Sequence, residues 1–143
     1  ATDWWTAPAE EENGSVILET GRRNMQNVRN TQEYIYRLEM TWTYEPDTKG
    51  MPDLETSTLM EKVQDAIEDC FMKDPTAVVT GIYTGDGLRN WVFYARSLHI
   101  FQRKINEVLS TFPELPLSFH AEEDPNWEEY DEMCQTEIQD EEL

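Results

Sequence analysis

Reactive and metal-binding side chains are scarce in this sequence. Its 143 residues include two cysteines and two histidines. Cys70 and Cys134 lie far apart without CxxC spacing, and His99 and His120 belong to no HExxH or HxH pattern. His120 precedes the acidic run Glu122–Asp124, which could supply oxygen ligands to a divalent cation or form a solvated loop. Without clustered ligands or a positioned base, we expect no catalytic residue, no metal site and no cofactor.

Basic residues are also few, because 11 Lys and Arg stand against 30 Asp and Glu, which gives a net charge of −19. Eleven of the acids lie in residues 121–143, where there is no Lys or Arg. Such a field repels nucleic-acid phosphates and anionic membranes, and it favours a protein partner with a basic surface. We therefore expect no nucleic-acid and no membrane partner, and a homodimer is the alternative to a basic protein.

Long hydrophobic runs are absent as well. No stretch approaches the roughly 18 apolar residues of a membrane-spanning helix, and the chain does not open with the pattern of a signal peptide, so we expect a cytoplasmic protein. Aromatic residues make up 11% of the chain, and disordered chains are poor in aromatics. Residues 1–143 are expected to form one domain, with an acidic, frayed tail over residues 135–143.

The strongest pattern that is present predicts a β-hairpin. Two runs rich in β-branched and aromatic residues, Ala77–Tyr83 and Trp91–Ala95, flank the turn sequence Gly85-Asp86-Gly87. Glycine tolerates positive φ and aspartate bonds to turn backbone, so these residues favour a tight connection between two antiparallel strands. The turn also explains Asp86 without a catalytic role.

The register of this hairpin follows from a four-residue loop. It places Ile82 opposite Trp91 and Thr80 opposite Phe93. Val78, Thr80 and Ile82 would then share one face with Phe93, and the intervening residues would share the other. A slip of one residue would exchange the two faces, so this register is a hypothesis.

Two helices are predicted on either side of the hairpin. Leu54–Met72 has one apolar stripe, and its start is indicated either by the capping box from Thr58 or by Asp53. Ser97 caps a second helix that runs to about Thr111 and is stopped by Pro113.

Further strands are indicated at residues 15–19, at residues 33–44, where apolar and polar residues alternate, and at residues 115–120. Residues 20–32 resemble a polar loop. Asp124-Pro125 resembles an N-cap followed by proline at the first helical position, and it predicts a C-terminal helical turn that buries Trp127 and Tyr130.

Two local features have alternative explanations. Arg22, Arg23 and Arg29 are the densest basic cluster, and they are either a solvated loop, which we favour, or a site that receives a carboxylate-rich segment such as the chain's own tail. Trp4 and Trp5 either clamp the N-terminal segment onto the core or form a peptide-binding pair.

The element order β-β-α-β-β-α-β predicts an α+β fold of the ferredoxin-like α/β sandwich type, an antiparallel sheet with two helices on one face and a C-terminal helical turn. The opposite face would stay open and polar. Its candidate binding residues are Arg37, Glu39, Tyr83, Asn90, Tyr94, Arg96 and His120, accompanied by Ser118.

Several segments together resemble a known bacterial family. Residues 81–101, Asp3-Trp4-Trp5, Gly50-Met51-Pro52 and residues 121–127 are similar to the family called domain of unknown function 695. The resemblance spans nearly the whole chain, and it implies no established activity. In some members such a domain looks to be joined to a module similar to regulators of ribonuclease E, and we expect no such second module within these 143 residues. That association implies a regulatory or partner-binding role.

Three functions are compatible with these features. A non-enzymatic protein-interaction or regulatory module agrees with the aromatic and polar sheet face and with the acidic surface. A small-ligand binder or enzyme would use Arg37, Glu39, Arg96 and His120 as its polar set. An acidic mimic of nucleic acid would need carboxylates spaced like phosphates. We favour the interaction module because no catalytic constellation is evident.

Overall fold

A computed structural model describes residues 3–10 and 16–142, with side chains over residues 3–9 and 16–137. These residues form six strands and four helices: β1 (Trp4–Glu10), β2 (Val16–Arg22), α1 (Gln26–Asn30), β3 (Tyr36–Thr43), α2 (Leu54–Lys73), β4 (Ala77–Gly85), β5 (Leu88–Ala95), α3 (Leu98–Leu109), β6 (Leu117–Glu123) and α4 (Glu128–Glu142). The mixed α+β class is confirmed.

All six strands belong to one antiparallel sheet with the order β1-β2-β4-β5-β3-β6. The sequence predicted five strands and missed β1. Pro8 argues against a strand at these positions, and two neighbouring tryptophans obscure the alternation of apolar and polar residues. In the structure the alternation separates them: Trp5 is buried beside Met133, while Trp4 packs against the core beneath α2 and α3.

Two local predictions were wrong. Residues 20–32 are not a continuous loop, because β2 continues to Arg22 and a short helix covers Gln26–Asn30. Pro125 does not occupy the first position of the C-terminal helix. That helix begins at Glu128, after a turn in which Trp127 has a positive φ of 56°.

The hairpin of β4 and β5 has the predicted register near its turn, where Ile82 lies opposite Trp91. Between Val79 and Gly81 the register shifts, so that Val79 rather than Thr80 lies opposite Phe93. Val79 therefore joins the core although it was predicted on the opposite face, because one inserted residue reverses the alternation of side chains.

The main core lies between one face of the sheet and helices α2 and α3. Three aromatic rings meet there: the centroids of Phe71 and Phe101 are 5.6 Å apart, and those of Phe93 and Phe101 are 5.0 Å apart. Burying each such side chain stabilises the fold by about 1.5–3 kcal/mol. Both helices have side-chain caps, since Asp53 accepts from the Thr56 amide and Ser97 accepts from the Ile100 amide.

The sequence led us to expect that the opposite face of the sheet is open. In the structure that face is partly covered. Helix α4 packs on it over β1 and β2, and the turn before α4 covers part of β5. Among the described residues, no helix combines the length and apolar character needed to cross a bilayer.

Candidate interaction surface

Helix α4 is held on the sheet by the basic cluster that precedes it by about a hundred residues. Arg29 binds both carboxylate oxygens of Asp131, at 2.6 and 2.8 Å, and donates to the carbonyl of Asn126 at 2.9 Å. Arg23 forms a 3.1 Å ion pair with Glu137. The cluster therefore receives the chain's own acidic segment, and the favoured interpretation as a solvated loop was wrong.

The turn that leads into α4 covers Tyr94. The Tyr94 ring stacks on Trp127 with centroids 4.2 Å apart, and its hydroxyl donates to Asp124 at 2.6 Å. The Trp127 indole donates to the carbonyl of Tyr34, and Asp124 also accepts the amides of residues 128 and 129. Burial and the hydrogen bond to Asp124 raise the pKa of Tyr94. In this arrangement Tyr94 connects the start of α4 to the sheet.

Further along the same face, Tyr83 lies partly beneath α4. It packs against the cluster of Trp5, Ala7 and Met133. Burial raises the pKa of Tyr83, and the nearby charge of Glu19 raises it further. Tyr83 therefore remains a neutral phenol in this setting.

The part of this face that α4 leaves uncovered extends over β3, β6 and the start of β5. We call it the open strip, and it consists of Arg37, Glu39, Thr41, Asn90, Ser118, His120 and Glu122. Cross-strand pairing brings these residues together, because Arg37 lies opposite Glu122, Glu39 opposite His120, and Thr41 opposite both Asn90 and Ser118.

Arg37 lies within the open strip, but its guanidinium is already paired with carboxylates of the strip. Its guanidinium forms ion pairs of 2.9 Å with Glu39 and 3.4 Å with Glu122, and its side chain is only 11% exposed. Burial by itself lowers the pKa of Arg37, but the hydrogen bond and charge of Glu39 outweigh it and raise the pKa above its ordinary value. Arg37 thus stays charged, and its charge is neutralised within the strip.

Acidic groups dominate the surroundings of the open strip. Partial desolvation raises the pKa of Glu129 on α4, and the negative charges of Glu132 and Glu122 raise it further against the opposing charge of Arg37. Because like charges this close repel one another, the region would be stabilised by added positive charge. His120 is exposed, with its imidazole 4.0 Å from Glu122.

Arg96, the remaining candidate from the sequence, lies elsewhere. It is exposed beside Glu33, 3.7 Å away, and its guanidinium is 5.8 Å from the centre of the Tyr34 ring. The structure therefore gathers Arg37, Glu39, Asn90 and His120, and it separates Arg96 from them. The four-residue polar set suggested for a ligand binder or enzyme is not assembled.

Sequence reasoning omitted Glu122 from the candidate residues. It ended the last strand at His120, whereas β6 continues to Glu123. Had the alternation been followed two residues further, Glu122 would have shared the face of Ser118 and His120. The acids Glu122–Asp124 do not form one exposed cluster, because Asp124 is buried and its carboxylate accepts a hydrogen bond from Tyr94. Over the described residues, no group of three His, Cys, Asp or Glu side chains is arranged to hold a metal ion.

Comparison with known proteins gives a family but no activity. A family model described as a family of unknown function, DUF695, matches residues 3–133. No curated protein and no solved structure matches the chain.

Proposed function

This chain belongs to the DUF695 family, whose function is unknown, and we propose that it is a non-enzymatic protein-interaction or regulatory module. Its binding surface is the open strip, and its partner is a protein with a basic surface. The observation that carries this proposal is the pairing of Arg37 with Glu39 and Glu122. Because both ion pairs lie within the strip, the positive charge of Arg37 is not available to bind an anionic ligand. What remains for a partner is negative charge.

The electrostatics of the strip support a basic partner over an anionic one. The strip's Glu122 and the neighbouring Glu132 both add negative charge near Glu129, and the whole chain has a net charge of −19. An acidic surface accelerates the encounter with a positively charged protein and repels phosphate groups. The exposed imidazole of His120 and the half-buried amide of Asn90 add hydrogen-bonding groups at the same place.

The test is affinity capture from a lysate of the encoding organism, with bound proteins quantified by mass spectrometry. We compare the wild type with Glu39→Gln/Glu122→Gln, which neutralises the strip. The matched control is Glu61→Gln/Asp65→Asn, two exposed acids of α2 on the other side of the sheet.

We expect basic proteins that are retained by the wild type and the control to be lost from the strip variant. Capture that is equal for all three proteins would contradict the proposed surface. Turnover of a substrate in a hydrolase screen, abolished by Glu39→Gln/Glu122→Gln, would contradict the non-enzymatic role.

We also infer that the segment from β3 to β6 is a ferredoxin-like unit extended by β1 and β2. The order β4-β5-β3-β6 within the sheet and the packing of α2 and α3 on one face support it. Deleting residues 1–22 offers a test, since a unit that folds independently retains cooperative unfolding without its two added strands.

A further inference from the structure

We propose that the outer edge of β6 binds an extended segment of the partner by adding a seventh strand to the sheet. The segment has alternating apolar and basic side chains. This proposal rests on the proposed function, and it adds the mode of binding and the chemistry of the partner.

Strand β6 is an edge of the sheet, and no other strand of the described residues pairs with its outer side. The amide of Thr43 donates to the carbonyl of Pro116, and the amide of Asp124 donates to the carbonyl of Ile35. Because hydrogen-bonded positions alternate in an antiparallel pair, the residues between these points that bond to β3 are 118, 120 and 122. The N–H and C=O groups of Phe119 and Ala121 therefore point outward, where no described strand lies.

The opposite edge of the sheet, β1, is blocked against such pairing. The amide of Arg23 donates to the carbonyl of Asp3, so the same alternation directs Trp4, Thr6 and Pro8 outward. Pro8 has no N–H to offer, and the outward carbonyl of Trp4 already accepts the Arg23 guanidinium at 3.0 Å. Strand β6 has neither protection, and it contains no proline or lysine and shows no shift in its register with β3.

An apolar groove of about 300 Å³ runs along β6 on the side of α3. Phe119 is 48% exposed there and Leu98 is 37% exposed. The remaining lining includes Leu38, Phe101 and Ile105. A strand added beside β6 would direct every second side chain toward this groove, which favours apolar residues at those positions.

The other side chains of an added strand would point toward the open strip. Their neighbours on β6 are Ser118, His120 and Glu122, with Glu39 on the next strand. Negative charge on this side favours Lys or Arg at the intervening positions. A second copy of the chain is a poorer occupant, because each copy carries a net charge of −19 and the two would repel one another.

The probe is a fluorescently labelled heptapeptide with the sequence Val-Lys-Val-Lys-Val-Lys-Val, whose binding is followed by anisotropy. A second peptide has the same side chains but is methylated at every backbone nitrogen, so it retains the charge and cannot donate to a sheet edge. The protein variants are Ala121→Pro, which removes an outward N–H from β6, and Phe119→Lys, which places a charge at the groove. The control is Thr6→Pro, which alters an outward position of β1.

We expect the wild type and Thr6→Pro to bind the unmethylated peptide equally. Binding should be weaker by about tenfold or more with the methylated peptide, with Ala121→Pro and with Phe119→Lys, since each loss corresponds to at least about 1.4 kcal/mol. Circular dichroism identifies a variant that has lost its fold. Phe119→Lys keeps the test decisive if Ala121→Pro does not fold.

Three results would overturn the proposal. If both peptides bind equally and Glu39→Gln/Glu122→Gln weakens both, recognition is electrostatic only; strand addition is then wrong while the proposed function stands. If neither peptide binds, the partner chemistry is wrong, and the capture experiment judges the proposed function separately. If the wild type is a dimer that Phe119→Lys dissociates, a second copy occupies the β6 edge.

Discussion

Gly21 and Gly81 lie directly opposite one another on β2 and β4, beneath helix α4. The Trp5 indole occupies the space that a side chain on Gly21 would fill, and the Met133 sulfur lies 2.5 Å from where a Cβ on Gly81 would be. The two glycines thus leave space on this face of the sheet for the side chains of Trp5 from β1 and Met133 from α4. Their role is close approach, because neither needs a left-handed backbone.

Adding a methyl group at these glycines is expected to cost stability unequally. Gly21→Ala should destabilise by about 1–3 kcal/mol, because the rigid, buried indole of Trp5 has no room to move. Gly81→Ala should cost less, since the flexible thioether of Met133 can shift. Urea unfolding gives both values, and Met133→Ala should relieve Gly81→Ala. Equal costs at the two positions would contradict this account.

The hydroxyl of Tyr94 is predicted to be structural. Tyr94→Phe removes a buried hydrogen bond to Asp124 and should destabilise by about 1–2 kcal/mol. Tyr36→Phe is the control, because Tyr36 is half-buried and no hydrogen bond of its hydroxyl is found among the described residues. Thermal unfolding of the two variants shows whether the Tyr94 hydroxyl stabilises the fold more than the Tyr36 hydroxyl does. A stable Tyr94→Phe protein that loses partner binding would instead place Tyr94 in the interaction surface.

The ion pair between Arg29 and Asp131 predicts an acid-sensitive attachment of α4. The hydrogen bond from Arg29 holds the pKa of Asp131 below its ordinary value. An acid whose pKa is lowered by folding contributes its full stabilisation at pH values above its unfolded pKa, which is about 3.9 for aspartate. That stabilisation is lost as the pH falls through the pKa of the folded state. The effect should stay below about 1 kcal/mol, because the Asp131 side chain is 53% exposed.

Hydrogen exchange of the α4 amides measures this attachment. Asp131→Asn should accelerate exchange at neutral pH and remove the acid dependence, whereas Glu132→Gln on the same helix should not. An unchanged exchange rate in Asp131→Asn would mean that Met133 and Trp127 hold α4 without the ion pair.

Glu68 on α2 is expected to oppose folding at neutral pH. Burial raises its pKa, and the charge of Arg22 compensates only in part. For an acid with a raised folded-state pKa, stability falls as the pH rises from the unfolded value of about 4.3 through the folded pKa. Glu68→Gln should therefore be more stable than the wild type at neutral pH, by a fraction of a kcal/mol, and equal to it in acid. A gain that persists below the unfolded pKa would have another cause.

The elements that the sequence predicted well are those with strong local patterns. Helices α2 and α3, the cap at Ser97 and the turn between β4 and β5 each follow from residues within a few positions of one another. Of the two starts predicted for α2, the one at Asp53 is confirmed and the one at Thr58 is wrong. The polar side of β3 was also predicted correctly, because alternation along one strand determines which side chains share a face.

The sequence by itself thus determined the α+β class, the acidic character and the two helices that cover the main core. Only the tertiary structure decided which polar side chains remain open. Tyr94 is covered by Trp127, and Arg29 binds an aspartate 102 residues away. The indole of Trp5 packs over Gly21, and this contact accompanies the pairing of β1 with β2. These outcomes depend on contacts between distant segments, and a local pattern of residue types contains no information about which distant segment will cover it.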